Sequence, residues 1–345
     1  MNKLTAIDLF CGAGGLTIGL KKAGFDVLAG VEIWEPAINT YRSNHPEHHL
    51  YDQDIKSLSP RKMMREMHLK KGELDLLAGC PPCQGFSTHR TRNKVSSVND
   101  TRNDLVFEFM RFVREFLPKT VMMENVPGLA KDKRIRRVLL ELEELGYFIN
   151  ENTIKIKDAA DYGVPQRRKR MILVTSRFGF IEEPKKIKRK KTVRKAIDQL
   201  KPIGESGDEL HDINPKRSNH INTMISLIPK DGGSRVDLPK KYWLPCHIRR
   251  PNSYTDVYGR MAWDDVAPTI TGGCNQPSKG RYLHPSENRG ITFREAALLQ
   301  SFPKNYKFSL SKGKDAVALM IGNALPPEFI KRHALKIRSH INTSS

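Results

Sequence analysis

Up to about Phe178 the chain alternates short apolar runs with stretches of helical periodicity, and each run stops at an acid, a glycine or a cysteine. Residues 4–10 read as a strand, followed by Cys11-Gly12-Ala13-Gly14-Gly15 and a helical segment ending near Gly24. Residues 27–31 end at Glu32, and the chain from Tyr51 leads to Asp54. Residues 74–78 run into Gly79-Cys80-Pro81-Pro82-Cys83, and residues 121–123 lead to Glu124. Such β-then-α alternation folds as an open, parallel α/β sheet with right-handed crossovers. Ligands of these sheets sit beyond the carboxyl ends of the strands. The residues that close each run are therefore the first candidates for a site.

Beyond Phe178 the texture changes. A basic run occupies residues 185–191, prolines and glycines are frequent from Pro184 to Pro285, and periodicity is weak, which points to a smaller, loop-rich domain. Helical patterns resume at residues 292–300, 315–321 and from Pro327 to about Ser339. At about 150 residues per domain, 345 residues make two domains. The longest apolar run, residues 316–321, falls far short of the ~20 residues that span a bilayer. Asp8 breaks an N-terminal apolar stretch already too short for a signal segment, and an odd five cysteines argue against a disulfide scaffold. A membrane protein and a secreted mini-protein are excluded on these grounds. Lys and Arg number 59 against 38 Asp and Glu, a net charge of +21 that points to a polyanion, nucleic acid first. The basic run itself reads either as a solvated linker or as a phosphate contact.

Gly12-x-Gly14 directly after a strand lets the backbone turn tightly and approach a ligand, and Glu32 follows 20 residues later, where an acid accepts ribose hydroxyls. Thr17 stands where a full dinucleotide fingerprint has its third glycine, which favours an adenosine-type cofactor without phosphates. Cys80-Pro81-Pro82-Cys83 fits a zinc half-site without its second pair, a redox pair, or a single nucleophilic cysteine held by prolines. Gln84-Gly85-Phe86-Ser87 follows, and the polar stretch from there to about Asn103 reads as a lid rather than the helix that a thioredoxin motif opens. Glu124 ends a buried run, where it serves either as a proton-holding carboxyl or as a helix N-cap. If residues 171–175 form a strand, alternation sends Arg168 and Arg170 to one face, as suits an anion or a carbonyl oxygen.

With these motifs in order, the sequence resembles the DNA (cytosine-5) methyltransferases along almost its whole length. The matching segments are Asp8-Leu9-Phe10-x-Gly12-x-Gly14-Gly15, Pro81-Pro82-Cys83-Gln84-Gly85-Phe86-Ser87, Glu124-Asn125-Val126, Gln166-x-Arg168-x-Arg170, Arg260 through Pro268-Thr269-Ile270-Thr271-Gly272-Gly273, and Gly322-Asn323-Ala324. The resemblance implies a Rossmann-like sheet that binds S-adenosylmethionine, residues 1–178 completed by 315–340, and a small domain, 179–314, with target recognition at about 180–258. It implies that Cys83 attacks C6 of a flipped-out cytosine, that Glu124 contacts N3 and the exocyclic amine, and that Arg168 steadies the base with Arg170 in support. Phe10, Gly12, Gly14, Glu32, Ile33, Asp54, Ile55, Pro82 and Asn323 would hold the cofactor. Ser87, His89, Arg249, Arg250, Asn252 and Ser253 would meet DNA.

The implied activity is methylation of a specific cytosine in double-stranded DNA, most simply by a monomeric, cytoplasmic, nucleoid-associated modification enzyme. A cognate restriction endonuclease would act on the same site without a stable complex. The rival readings are a tRNA cytosine-C5 methyltransferase of the same fold and an inactive DNA-binding relative.

Overall fold

The computed structural model describes residues 3–82, 104–213 and 217–344. Two compact units emerge: residues 1–162, 169–186 and 325–345 form one, and residues 163–168 and 187–324 the other. The C-terminal return to the first unit thus begins at Leu325, and the helix Gly313–Asn323 belongs to the second.

Among the described residues the first unit is built on seven strands: β1 Thr5–Leu9, β2 Asp26–Val31, β3 His49–Tyr51, β4 Leu76–Gly79, β5 Thr120–Asn125, β6 Ile154–Asp158 and β7 Lys169–Ser176. Their order is β3-β2-β1-β4-β5-β7-β6. The first five are parallel, and β7 lies antiparallel to both β5 and β6. Connectivity runs outward from β1 to β3 and then resumes on the other side at β4. That makes the β1/β4 junction the topological switch point, where a crevice opens beyond the strand ends.

The central strands are buried and mostly apolar because helices cover the sheet. Ile7, Leu9, Val31, Leu77, Val121 and Met123 pack with Phe109, Phe112 and Phe116 of the helix Leu105–Phe116. Val106, Phe109, Met110 and Val113 fall at i, i+3, i+4 and i+7, the spacing of one buried helix face. On the helix Gly15–Lys22, a Cβ at Gly19 would lie 2.5 Å from the Ile330 Cβ. Only glycine lets the C-terminal helix Pro327–Ser344 seat there.

The edge strand β6 has no counterpart in the sequence reading. Its Ile-Lys alternation is short, and Ile156 remains 49% exposed, so no continuous apolar run marks it.

In the second unit, pairing among the described residues is confined to isolated bridges such as Arg260 with Leu283. Side chains replace the ladders. Arg260, fully buried, donates to the carbonyls of Ile225, Ile228, His284 and Glu287 and to Asn288. Around it pack Met224, Ile225, Ile228, Leu238, Val257, Tyr258 and Leu283. A core organised by one guanidinium leaves no period of 2 or 3.6 in the sequence, which accounts for the weak patterning there.

Candidate active site

Three consecutive features shape the loop after β1. Phe10, Gly12 and Gly14 all adopt positive φ (62°, 54° and 84°), Gly14 N donates back to Cys11 O, and Cys11 N donates to Val31 O of β2. The loop is thereby folded against the end of the neighbouring strand. Glu32 locks it there: its Oε2 accepts from Gly12 N at 2.9 Å, and its Oε1 accepts from the backbone N–H groups of Ile33 and Trp34. A Cβ at Gly12 would meet nothing within 4 Å, so the loop faces open space. Ile33 next to it is 63% exposed, an apolar side chain displayed rather than buried.

Phe10 is half-buried and Ile55 buried, while Asp54 is exposed and caps its own turn by accepting from Lys56 N. Phe10, Gly12, Gly14, Glu32, Ile33, Asp54 and Ile55 thus all lie in the first unit, at the ends of β1 and β2 and just after β3.

Beneath the loop, Asp8 is fully buried. Thr17 donates to its Oδ2 at 2.6 Å, and its Oδ1 has no partner among the described residues. Burial pushes this carboxyl up to about 7 despite the threonine bond, and the Glu32 charge adds to the rise. In sequence Asp8 stands out as a charge interrupting a strand and as the first residue of the Asp8-Leu9-Phe10 motif.

At the ends of β4 and β5 the two motifs meet. Asn125 donates from Nδ2 to the Pro81 carbonyl at 2.9 Å, and its Oδ1 accepts from Val126 N at 2.8 Å. Glu124 sits inside β5 rather than after it, is 7% exposed, and forms an ion pair with Arg170 of β7, Nε to Oε1 2.9 Å. The Cys80 thiol donates a hydrogen bond to Glu124. Burial first, then the Glu124 and Asp8 charges, push that thiol well above its ordinary range. A neutral, hydrogen-bonded thiol suits structure better than redox exchange, which needs thiolate. Pro81 is buried and Pro82 exposed. Cys83, Ser87 and His89 lie outside the described residues.

Arg168 and Arg170 part company. The strand begins at Lys169, so β alternation does not govern Arg168, which belongs to the second unit. There it is 2% exposed and donates to Ile270 O and Gly322 O, each at 2.9 Å. Gln166 takes part in the same stitching, donating to Gln300 Oε1 and accepting from Ile270 N. Three of the sequence motifs therefore converge on one another's backbone. A Cβ at Gly322 would stand 2.1 Å from the Thr271 carbonyl carbon, so that contact excludes any side chain. Asn323 is exposed at the end of its helix, and Arg249, Arg250, Asn252 and Ser253 are all exposed, as a surface role requires.

Asn125 is the residue the sequence reading passed over. It was visible only as the middle of a motif, and its amide is what ties the two strand ends together.

The chain's relatives carry the same assignment. Residues 4–339 match the family model for C-5 cytosine-specific DNA methylase. The Type II methylase M.HgiDII of Herpetosiphon aurantiacus is 35% identical over 343 residues, covering 93% of this chain and 91% of that protein. The Type II methyltransferase M1.HphI of Haemophilus parahaemolyticus is also 35% identical, covering 94% and 84%. Among solved structures, a DNA modification methyltransferase encoded within an E. coli prophage superposes with a TM-score of 0.70 at 26% identity over 98% of this chain and 99% of that one. S. pombe Dnmt2 shares the fold at a TM-score of 0.63 and 16% identity, with 99% and 100% covered. No helix among the described residues is long and apolar enough to cross a membrane. The family model and these relatives lead to one conclusion: the chain belongs to the C-5 cytosine-specific DNA methylase family and is a DNA (cytosine-5) methyltransferase.

Proposed function

We propose that the enzyme methylates one cytosine within a specific duplex sequence as the modification half of a restriction–modification system, through a transient bond between Cys83 and C6 of a flipped-out base. The observation that carries this reading is the bond from Asn125 to the Pro81 carbonyl. It ties the segment that leads into Cys83 to the strand end that bears Glu124.

The residues present fit S-adenosylmethionine: a left-handed loop facing open space, an acid braced at its edge, a displayed apolar Ile33 and an orphaned Asp8 oxygen. Phe10, Gly12, Gly14, Glu32, Ile33, Asp54, Ile55, Pro82 and Asn323 would hold it. Bound there, it supplies an electrophilic methyl group.

C5 of cytosine is a poor nucleophile. Addition of the Cys83 thiolate at C6 would push electron density to C5 and make it nucleophilic toward the donor's methyl carbon, with the sulfonium sulfur keeping the electron pair of the broken S–C bond as a neutral thioether. Loss of the C5 proton and expulsion of Cys83 restore the aromatic ring. Glu124, paired with Arg170, contacts N3 and the amine; the guanidinium supplies the counter-charge that lets a buried carboxylate persist between turnovers. Arg168 holds the Ile270 and Gly322 carbonyls and steadies the base from the backbone it fixes. Extrusion of the base costs a few kcal/mol, offset by pocket contacts and by a group that fills the gap, for which His89 is the candidate.

Glu124, Arg170 and most cofactor residues belong to the first unit; Arg168 and Asn323 belong to the second, which carries target recognition through Arg249, Arg250, Asn252 and Ser253, while Ser87 also meets the DNA. The enzyme acts as a cytoplasmic monomer and shares its target, but no stable complex, with an endonuclease.

Duplex DNA carrying 5-fluorocytosine at the target tests the reading, because fluorine cannot leave as the C5 proton does. With the methyl donor present, wild type should become covalently attached to DNA and Cys83→Ala should not. A trapped Cys83→Ala, or methyl transfer to tRNA but not to duplex, would overturn it.

A further inference from the structure

His45, Glu47 and His48 cluster where the helix Glu35–Asn44 gives way to β3. One nitrogen from each imidazole and one carboxylate oxygen lie within 4.8 Å of one another. The two rings stack 3° from parallel with centroids 5.1 Å apart, and His48 Nε2 stands 3.2 Å from Glu47 Oε1.

The hydrogen bonds behind His48 fix its tautomer. Thr17 has one hydroxyl proton, and it is given to Asp8. The 3.1 Å contact between Thr17 and Tyr41 is then a bond only if Tyr41 donates. Tyr41 has no second proton, so at its 3.1 Å contact with His48 Nδ1 the imidazole is the donor. In a neutral ring this leaves a lone pair on Nε2, directed at a carboxylate oxygen. With Nε2 3.2 Å from Glu47 Oε1, this pair of electron donors is one that a cation can bridge.

We propose that His45, Glu47 and His48 form a binding site for a divalent transition-metal ion of the zinc class, with water completing the coordination. Imidazole and carboxylate are the ligands such an ion takes. At metal–ligand distances of about 2.1 Å, tetrahedral ligands stand about 3.4 Å apart. His48 and Glu47 are already near that spacing, and a change of side-chain torsion closes the rest. The chain His48–Tyr41–Thr17–Asp8 is the outer shell that orients a ligating imidazole. Lys21 pairs with the same Glu47 oxygen and is the ion's competitor.

Calorimetric titration of the chelator-stripped full chain with Zn2+, and the absorption spectrum with Co2+, test the site independently of methylation. Wild type should take one ion per chain. His45→Ala, His48→Ala and the half-exposed Glu47→Gln should each weaken binding at least tenfold. Thr17→Val, which leaves all three ligands in place, should weaken it by about tenfold, Lys21→Ala should tighten it, and the exposed His220→Ala should change nothing. If His45→Ala fails to fold, Glu47→Gln and Thr17→Val carry the test. Unchanged affinity in Glu47→Gln and His48→Ala, a thiolate-to-cobalt charge-transfer band, or no binding by folded wild type at millimolar zinc would overturn the proposal.

Discussion

Replacing Asn125 with alanine separates positioning from chemistry at this site. The side chain is 5% exposed and makes two short bonds, to the Pro81 carbonyl and from the Val126 amide. Alanine leaves both partners unsatisfied, and an orphaned buried carbonyl costs about 1–3 kcal/mol. If the Pro81 segment bears that cost by moving, the nucleophile that follows it loses its aim, and the barrier rises by the same amount. The expected fall in kcat is then about 5- to 150-fold. KM for the methyl donor should rise less than kcat falls, because of the cofactor residues only Pro82 lies on the Pro81 segment, while Glu32 braces the glycine loop independently. Single-turnover methylation of a target duplex, alongside thermal unfolding, measures both effects. A folded Asn125→Ala protein with the wild-type single-turnover rate would refute the reasoning, as would a rate loss recovered entirely by saturating donor.

Two further substitutions probe the buried charges. Asp8, raised from 3.8 to about 7, keeps its proton in the folded chain after the unfolded chain has lost it, so its contribution to stability falls as pH rises between those values. The unfolding free energy of wild type minus that of Asp8→Asn should therefore drop by about 4 kcal/mol from pH 4 to pH 8 in urea titrations; a flat difference would refute the assignment. Arg170→Ala strands the Glu124 carboxylate and should cost about 3–5 kcal/mol of stability, partly restored by Arg170→Lys. Equal urea midpoints for wild type and Arg170→Ala would show that Glu124 draws its counter-charge elsewhere.

Four of the parallel strands, β1, β2, β4 and β5, were legible as apolar runs because helices bury them; β3, with His49 exposed and only Tyr51 buried, left no such run. β6 was not legible either, since an edge strand satisfies itself with one half-buried face. The glycine pair foretold a tight turn, and both residues do adopt positive φ. That the turn is braced by Glu32 through the Gly12 amide depends on a strand end 20 residues away, which spacing alone cannot reveal.

The arginines show the limit most clearly. Gln166-x-Arg168-x-Arg170 reads as one strand presenting one face, yet the chain passes from one unit to the other between Arg168 and Lys169. Arg170 then answers to Glu124, while Arg168 answers to the carbonyls of Ile270 and Gly322. A motif can thus be a single unit of sequence and two units of physics. What joins Gln166–Arg168 to the Ile270 and Gly322 segments is backbone hydrogen bonding by buried side chains. No periodicity records such bonding, so only the coordinates separate an arginine that meets a charge from one that holds the chain.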